Sequence, residues 1–244
     1  MDEDWFLKGE FHVHFQNNTA HDDDYLLTTS TNTSGHNTTA ITTTSNNDDT
    51  LVRIRQVPSD GSCLFHAIGA RLLHEEWMHQ ATERQHEHPH MSSIMEYSSK
   101  LRQQAVNALQ DNPQRQFTIM RDENEEPITA SSLVQLASDP YGISSDDYLT
   151  SMRDESVWGG GPEIIALASE LKRQIVVLEP DESVDAGSSD VCFLKVRARF
   201  GDAECNYGSD TIYILCANQQ FPQSLGRGRG NCNHFLAVFA LVSD

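Results

Sequence analysis

The chain has 244 residues, 17 basic and 36 acidic, giving a formal net charge of −19. That balance argues against nucleic acid and anionic membrane as main partners, since both are bound through basic patches. No apolar run approaches the roughly 20 residues that span a bilayer, and the start Met1-Asp2-Glu3-Asp4 is acidic where a signal peptide is basic. Five cysteines, at 63, 192, 205, 216 and 232, are odd in number and form no CxxC pair. This favours a reduced intracellular setting, cytoplasmic by expectation, over a disulfide framework.

Residues 1–50 read as a disordered, acidic Thr/Asn-rich tail. From Gln16 to Thr50, 11 Thr, 6 Asn and 3 Ser make up 20 of 35 residues, too little apolar surface to offset chain entropy. The sequons at Asn17, Asn32 and Asn37 fall in this tract by chance, and His12, His14, His21 and Asp22-Asp23-Asp24 are read as solvated rather than metal-binding. Trp5, Phe6, Leu7, Phe11 and Phe15 stand out from it, as a short docking motif or as an extra strand.

The domain proper is expected over 51–244. Residues 51–57 alternate apolar and polar positions as a half-exposed strand does. Pro58 and Gly61 then make a turn, Ser62 is a good N-cap, and Leu64, Ile68 and Leu72 form the stripe of a helix from Cys63 to about Trp77. Cys63 thus lies in the first turn of a helix, where free N–H groups and the dipole favour a thiolate. His74 and His79 are five residues apart, about 140° off a common face, so a zinc-protease helix is rejected. Further helices are expected at 94–110, 131–136 and 144–152, with an acidic loop at 121–127. Gly159-Gly160-Gly161-Pro162 opens another helix, with Ile164, Leu167, Ala168 and Leu171 on one face. Strands are expected at 175–178, 191–196, 211–215 and 235–242. The result is an α+β architecture, a mixed sheet of about five strands with helices packed around it.

A cysteine that opens a helix early and a histidine, His234, that opens a strand late is the chain order of papain-like cysteine proteases. Asp60-Gly61-Ser62-Cys63-Leu64-Phe65 resembles the cysteine motif of the ovarian tumour (OTU) family of deubiquitinating cysteine proteases. Val157-Trp158-Gly159-Gly160-Gly161-Pro162-Glu163 is similar to that family's Trp-Gly-Gly-x-x-Glu helix start. The resemblance implies a papain-like OTU fold and hydrolysis of bonds at the C-terminal glycine of ubiquitin. Cys63 would be the nucleophile, His234 the general base and acid, and Asp60 the motif aspartate that shapes the turn. The turn amides of 60–63 would form the oxyanion hole. Trp158 and Glu163 would be structural. Ubiquitin and ubiquitinated proteins would be the partners, held by loops at 180–190, 200–210 and 220–233, with no cofactor or metal and a monomeric chain. The family usually carries Asn or Asp two residues after the histidine; here that position is Leu236. Asn231, Asn233, Asp60 or a group from another segment would orient the imidazole, or the site is a Cys–His dyad. The competing readings are a catalytically weak or inactive ubiquitin-binding domain and a protease for a ubiquitin-like modifier.

Overall fold

The fold is that of a computed structural model, which describes residues 6–7, 10–14, 50–80, 89–121, 124–181, 191–201, 211–222 and 232–240. Eight strands form one mixed sheet: β1 Glu10–His14, β2 Thr50–Arg55, β3 Gln116–Arg121, β4 Asn124–Thr129, β5 Ile175–Pro180, β6 Val191–Phe200, β7 Ile212–Ala217 and β8 His234–Ala240. Their order is β1-β2-β8-β7-β5-β6-β3-β4, and β1 also pairs with β6. Six strands therefore close into a ring, β1-β2-β8-β7-β5-β6, with the β3–β4 hairpin attached to β6. Five helices, α1 Cys63–Gln80, α2 Met91–Gln110, α3 Ala130–Ser138, α4 Ser145–Met152 and α5 Gly161–Leu171, complete the α+β fold.

Ring closure gives the sheet two apolar faces, and strand alternation divides the side chains between them. Phe11, Val13, Val52, Ile54, Val176, Leu178, Leu194, Leu215, Leu236 and Val238 belong to one cluster, which fills the ring. Ile212, Ile214, Ala237 and Phe239 belong to the other, which they share with Leu64, Ile68, Leu101, Ala105 and Leu167 of the helices. Burial on both faces explains why Phe235-Leu236-Ala237-Val238-Phe239 is an unbroken apolar run. The first turns of α1 are enclosed in the same way. Leu64, Phe65, Ala67, Ile68 and Ala70 are all buried, a wider apolar surface than the single stripe at 64, 68 and 72.

The sheet exceeds the expected five strands by three. β1 comes from the segment expected to be tail: Phe11 and Val13 point into the ring, and Phe6 bridges to Arg55. The extra-strand alternative for the aromatic cluster is the one found, at Phe11. β3 and β4 replace most of the acidic loop expected at 121–127. They pair in register from Gln116↔Thr129 to Arg121↔Asn124. β4 lies at the sheet edge, where backbone pairing needs no apolar run and Pro127 is tolerated. The remainder of the expected tail, and most of the three expected ubiquitin loops, lie outside the described residues. No helix among the described residues is long and apolar enough to cross a membrane.

Candidate active site

The turn between β2 and α1 is fixed by its own Asp60, by the backbone after α4 and by Arg102 of α2. The Asp60 carboxylate accepts the Ser62 N–H at 2.8 Å, an Asx turn of the kind short acidic side chains make. Gly61 packs against the backbone of Glu155 and Ser156, where an added Cβ would overlap their atoms. Arg102 of α2, 0 % exposed, reaches underneath. Its guanidinium donates to Gly61 O at 2.8 Å, Ser62 Oγ at 3.1 Å, Glu155 O at 3.3 Å and Met152 O at 2.9 Å. It also lies 4.4 Å from the centre of the Phe65 ring, a cation–π contact. The Ser62 hydroxyl is used to donate to Glu155 O at 3.1 Å rather than to cap the helix. Cys63 N–H makes a long bond, 3.3 Å, to Asp60 O, and the amides of Asp60 and Gly61 carry no hydrogen bond among the described residues.

α1 packs against β8, and this brings Cys63 to the start of that strand. β2 leaves β8 beyond the Arg55↔Ala237 pair. The Phe235 amide approaches the Cys63 sulfur, as does that of Leu64. His234 precedes Phe235 and directs a ring N–H toward the Val57 carbonyl. Its Nδ1 is buried with no hydrogen-bond partner among the described residues. Cys63 and His234 are each 2 % exposed.

The electrostatics differ from the expected thiolate–imidazolium pair. Burial pushes the Cys63 thiol up, and the Phe235 and Leu64 N–H groups only partly offset this. Burial pulls the His234 imidazole down, opposed by the Asp60 carboxylate and the Val57 carbonyl. Desolvation therefore outweighs the helix N-terminus at Cys63 and the nearby carboxylate and carbonyl at His234. The cysteine expectation also changes. Cys216 of β7 and Cys232, just before β8, form a disulfide with Cα atoms 5.6 Å apart, because β7 and β8 are antiparallel neighbours. Cys63 and Cys192 are free.

A family model described as OTU-like cysteine protease matches residues 58–205. The chain belongs to the OTU-like cysteine protease family. A search of curated proteins finds no match. Among solved structures, the viral OTU protease of Dera Ghazi Khan virus is 15 % identical, with a TM-score of 0.45 over 78 % of this chain and 82 % of that one. The Hazara virus OTU bound to ubiquitin is 16 % identical, with a TM-score of 0.41 over 79 % and 83 %. An OTU deubiquitinase of Wolbachia pipientis wMel bound to ubiquitin is 18 % identical, with a TM-score of 0.38 over 78 % and 96 %.

The OTU match includes Asp60 and Cys63; His234 lies beyond it. Leu236, at the position where the OTU pattern places an orienting amide or acid, is 0 % exposed within the ring cluster. Of the candidate orienters, Asn231 lies outside the described residues. Asn233 uses its side-chain oxygen to accept the Gln219 N–H at 2.9 Å. The Asp60 charge favours a proton on His234, while the Asp60 side-chain contacts among the described residues go to Ser62 N–H and His66. Glu163 is buried and accepts from Tyr148 Oη at 2.9 Å and Gly160 N at 2.8 Å, while Trp158 is half exposed at the surface. Among the described residues no group of three or more His, Cys, Asp or Glu side chains is placed to hold a metal ion.

Sequence reasoning passed over two residues. Arg102 looked like one polar position on α2. His66 lies three residues beyond Cys63, and its Nε2 is 3.3 Å from both carboxylate oxygens of Asp60. The signal that could have found His66 is its place one turn along α1 from the cysteine, a polar residue in an otherwise apolar run from Leu64 to Ala70.

Proposed function

We propose that this OTU-family chain is a thiol-dependent deubiquitinase that cleaves peptide and isopeptide bonds at the C-terminal glycine of ubiquitin. The single observation that supports this most is the meeting of Cys63 with the start of β8, His234 beside it, next to two unbonded turn amides. His234, neutral at rest, takes the Cys63 proton as the sulfur attacks the glycine carbonyl carbon. The S–C bond forms, and the carbonyl electrons move to an oxygen held by the amides of Asp60, Gly61 and Cys63. As the intermediate collapses, the C–N bond breaks and His234 returns the proton to the leaving amine. Water, deprotonated by His234, then hydrolyses the thioester and restores the thiol. Asp60 stabilises the imidazolium formed in both halves. No cofactor enters the scheme. Ubiquitin as partner follows from the residues that resemble the deubiquitinating OTU family.

One observation favours a second reading. The nucleophile is 2 % exposed and its thiol is pushed up by burial, as in an OTU-like domain that binds ubiquitin without cutting it. Hydrolysis of a fluorogenic ubiquitin C-terminal amide separates the two. Turnover by wild type, lost in Cys63→Ala and His234→Ala, is the expected result. Ubiquitin binding without turnover would replace the enzyme by the binding domain.

A further inference from the structure

We propose that His66, held by Ser98, is the residue that positions Asp60, and that through Asp60 it steadies the negative charge near the start of β8 that position 236 does not supply. This rests on the reading of Cys63 and His234 as the reacting pair. The geometry is a buried chain of contacts. Ser98 Oγ lies 2.6 Å from Ile94 O and 2.9 Å from His66 Nδ1. His66 Nε2 then faces both Asp60 oxygens at 3.3 Å. His66 and Ser98 are 3 % and 1 % exposed, whereas the Asp60 side chain is 46 % exposed. A carboxylate that open to water keeps one direction only if something fixes it, and its two fixed partners are the Ser62 N–H and the His66 ring.

Neutral His66 has one ring N–H for its two contacts: placed on Nε2 it points to Asp60, and Nδ1 then accepts from the Ser98 hydroxyl. Four charged or titratable groups act at this point. Asp60 in the turn and Glu155 after α4 favour a proton on His66, and Arg102 of α2 opposes it along with burial. His234 of β8 is the fourth, since a charge on His66 acts against one on His234. A position that carries both an N–H toward the motif aspartate and a second anchor to α2 does more than fill the core, for which a leucine of similar volume would serve.

The test compares His66→Gln with His66→Leu. Both lack charge, but only glutamine can donate toward Asp60. In the full chain with isotope-labelled histidines, nitrogen-detected imidazole spectra give the titration midpoint of His234, assigned by its loss in His234→Gln. The midpoint is expected to be lower in His66→Leu than in His66→Gln by about half a pH unit. With Asp60→Asn added, the two variants should coincide. Folded Leu and Gln variants with the same His234 midpoint would overturn the proposal. If His66→Leu does not fold, Ser98→Ala unhooks the far end of the ring. It should lower the midpoint in the same direction, and an unchanged midpoint there would also overturn it. No ubiquitin is used, so a failed ubiquitin assay with a shifted midpoint would remove the proposed substrate and leave this inference standing.

Discussion

The two halves of the candidate site are built in opposite ways. The cysteine half is over-braced: one turn is held by Arg102 from α2, by the Glu155 and Ser156 backbone, and by Asp60 with His66. The histidine half is tied to β7, by strand pairing, by Asn233 and by the Cys216–Cys232 disulfide. His234 is positioned by its pairing with Ala217, and its Nδ1 has no partner among the described residues. A nucleophile that must present a sulfur beside oxyanion amides needs its backbone fixed to fractions of an ångström. A base that must accept and return a proton needs one free nitrogen. The asymmetry therefore follows the chemistry, and each half fails in its own way when altered.

The largest effect expected is loss of the nucleophile. Cys63→Ala should reduce turnover of a ubiquitin substrate by about 10⁴-fold or more with the fold intact, measured by steady-state kinetics beside a thermal melt. Arg102→Ala breaks the braced half. It strands Gly61 O and Met152 O in the interior and should cost about 3 kcal/mol or more of stability in denaturant melts. Arg102→Lys should recover little, because one ammonium cannot replace a planar fork serving several acceptors.

Leu236→Asn tests the other half. It returns the residue type usual in the family but places an amide in the apolar ring. Chemical denaturation should show a loss of about 2–3 kcal/mol, with no gain in rate per folded molecule if Asp60 already faces His234. A faster variant would show that an orienting group had been missing.

The smallest effect is a pH dependence. Burial lowers both His66 and His234 below their ordinary value of 6.5, so the folded state binds fewer protons than the unfolded one. Their contribution is present above about pH 6.5 and is lost as pH falls below it, with a slope of up to about 1.4 kcal/mol per unit for each. Melts between pH 7.5 and 5 should show this decline. His234→Gln should flatten it, and an unchanged slope would mean that His234 is not desolvated.

Local signals carried well and long-range ones did not. The turn at Pro58–Ser62, the start of α1 at Cys63 and α5 after its glycines were legible because caps, turn residues and apolar spacing are written in neighbouring positions. The β3–β4 hairpin was not. Its pairing is a backbone matter at a sheet edge, and Glu125, Glu126 and Pro127 read as loop. β1 was visible only as an aromatic cluster in a polar tract, since what makes it a strand is β6, which lies far along the chain. The same closure explains Leu236. As a site position it looked like a defect, but once β1 seals the ring, that face of β8 is interior and an apolar side chain belongs there. Cys63 and His234 could be singled out from the sequence as candidates. That burial would push the thiol up and pull the imidazole down could not be read, because desolvation depends on everything packed around them.

The most direct measurement uses ubiquitin carrying an electrophile in place of its C-terminal carboxylate, mixed with the wild-type chain, Cys63→Ala and His234→Ala. Intact mass and peptide mapping locate the adduct. A single adduct on Cys63, absent from Cys63→Ala and slow to form with His234→Ala, is the expected result. A folded wild-type chain that forms no adduct, or forms one at Cys192, would contradict the assignment of Cys63 and His234 as a ubiquitin-directed pair.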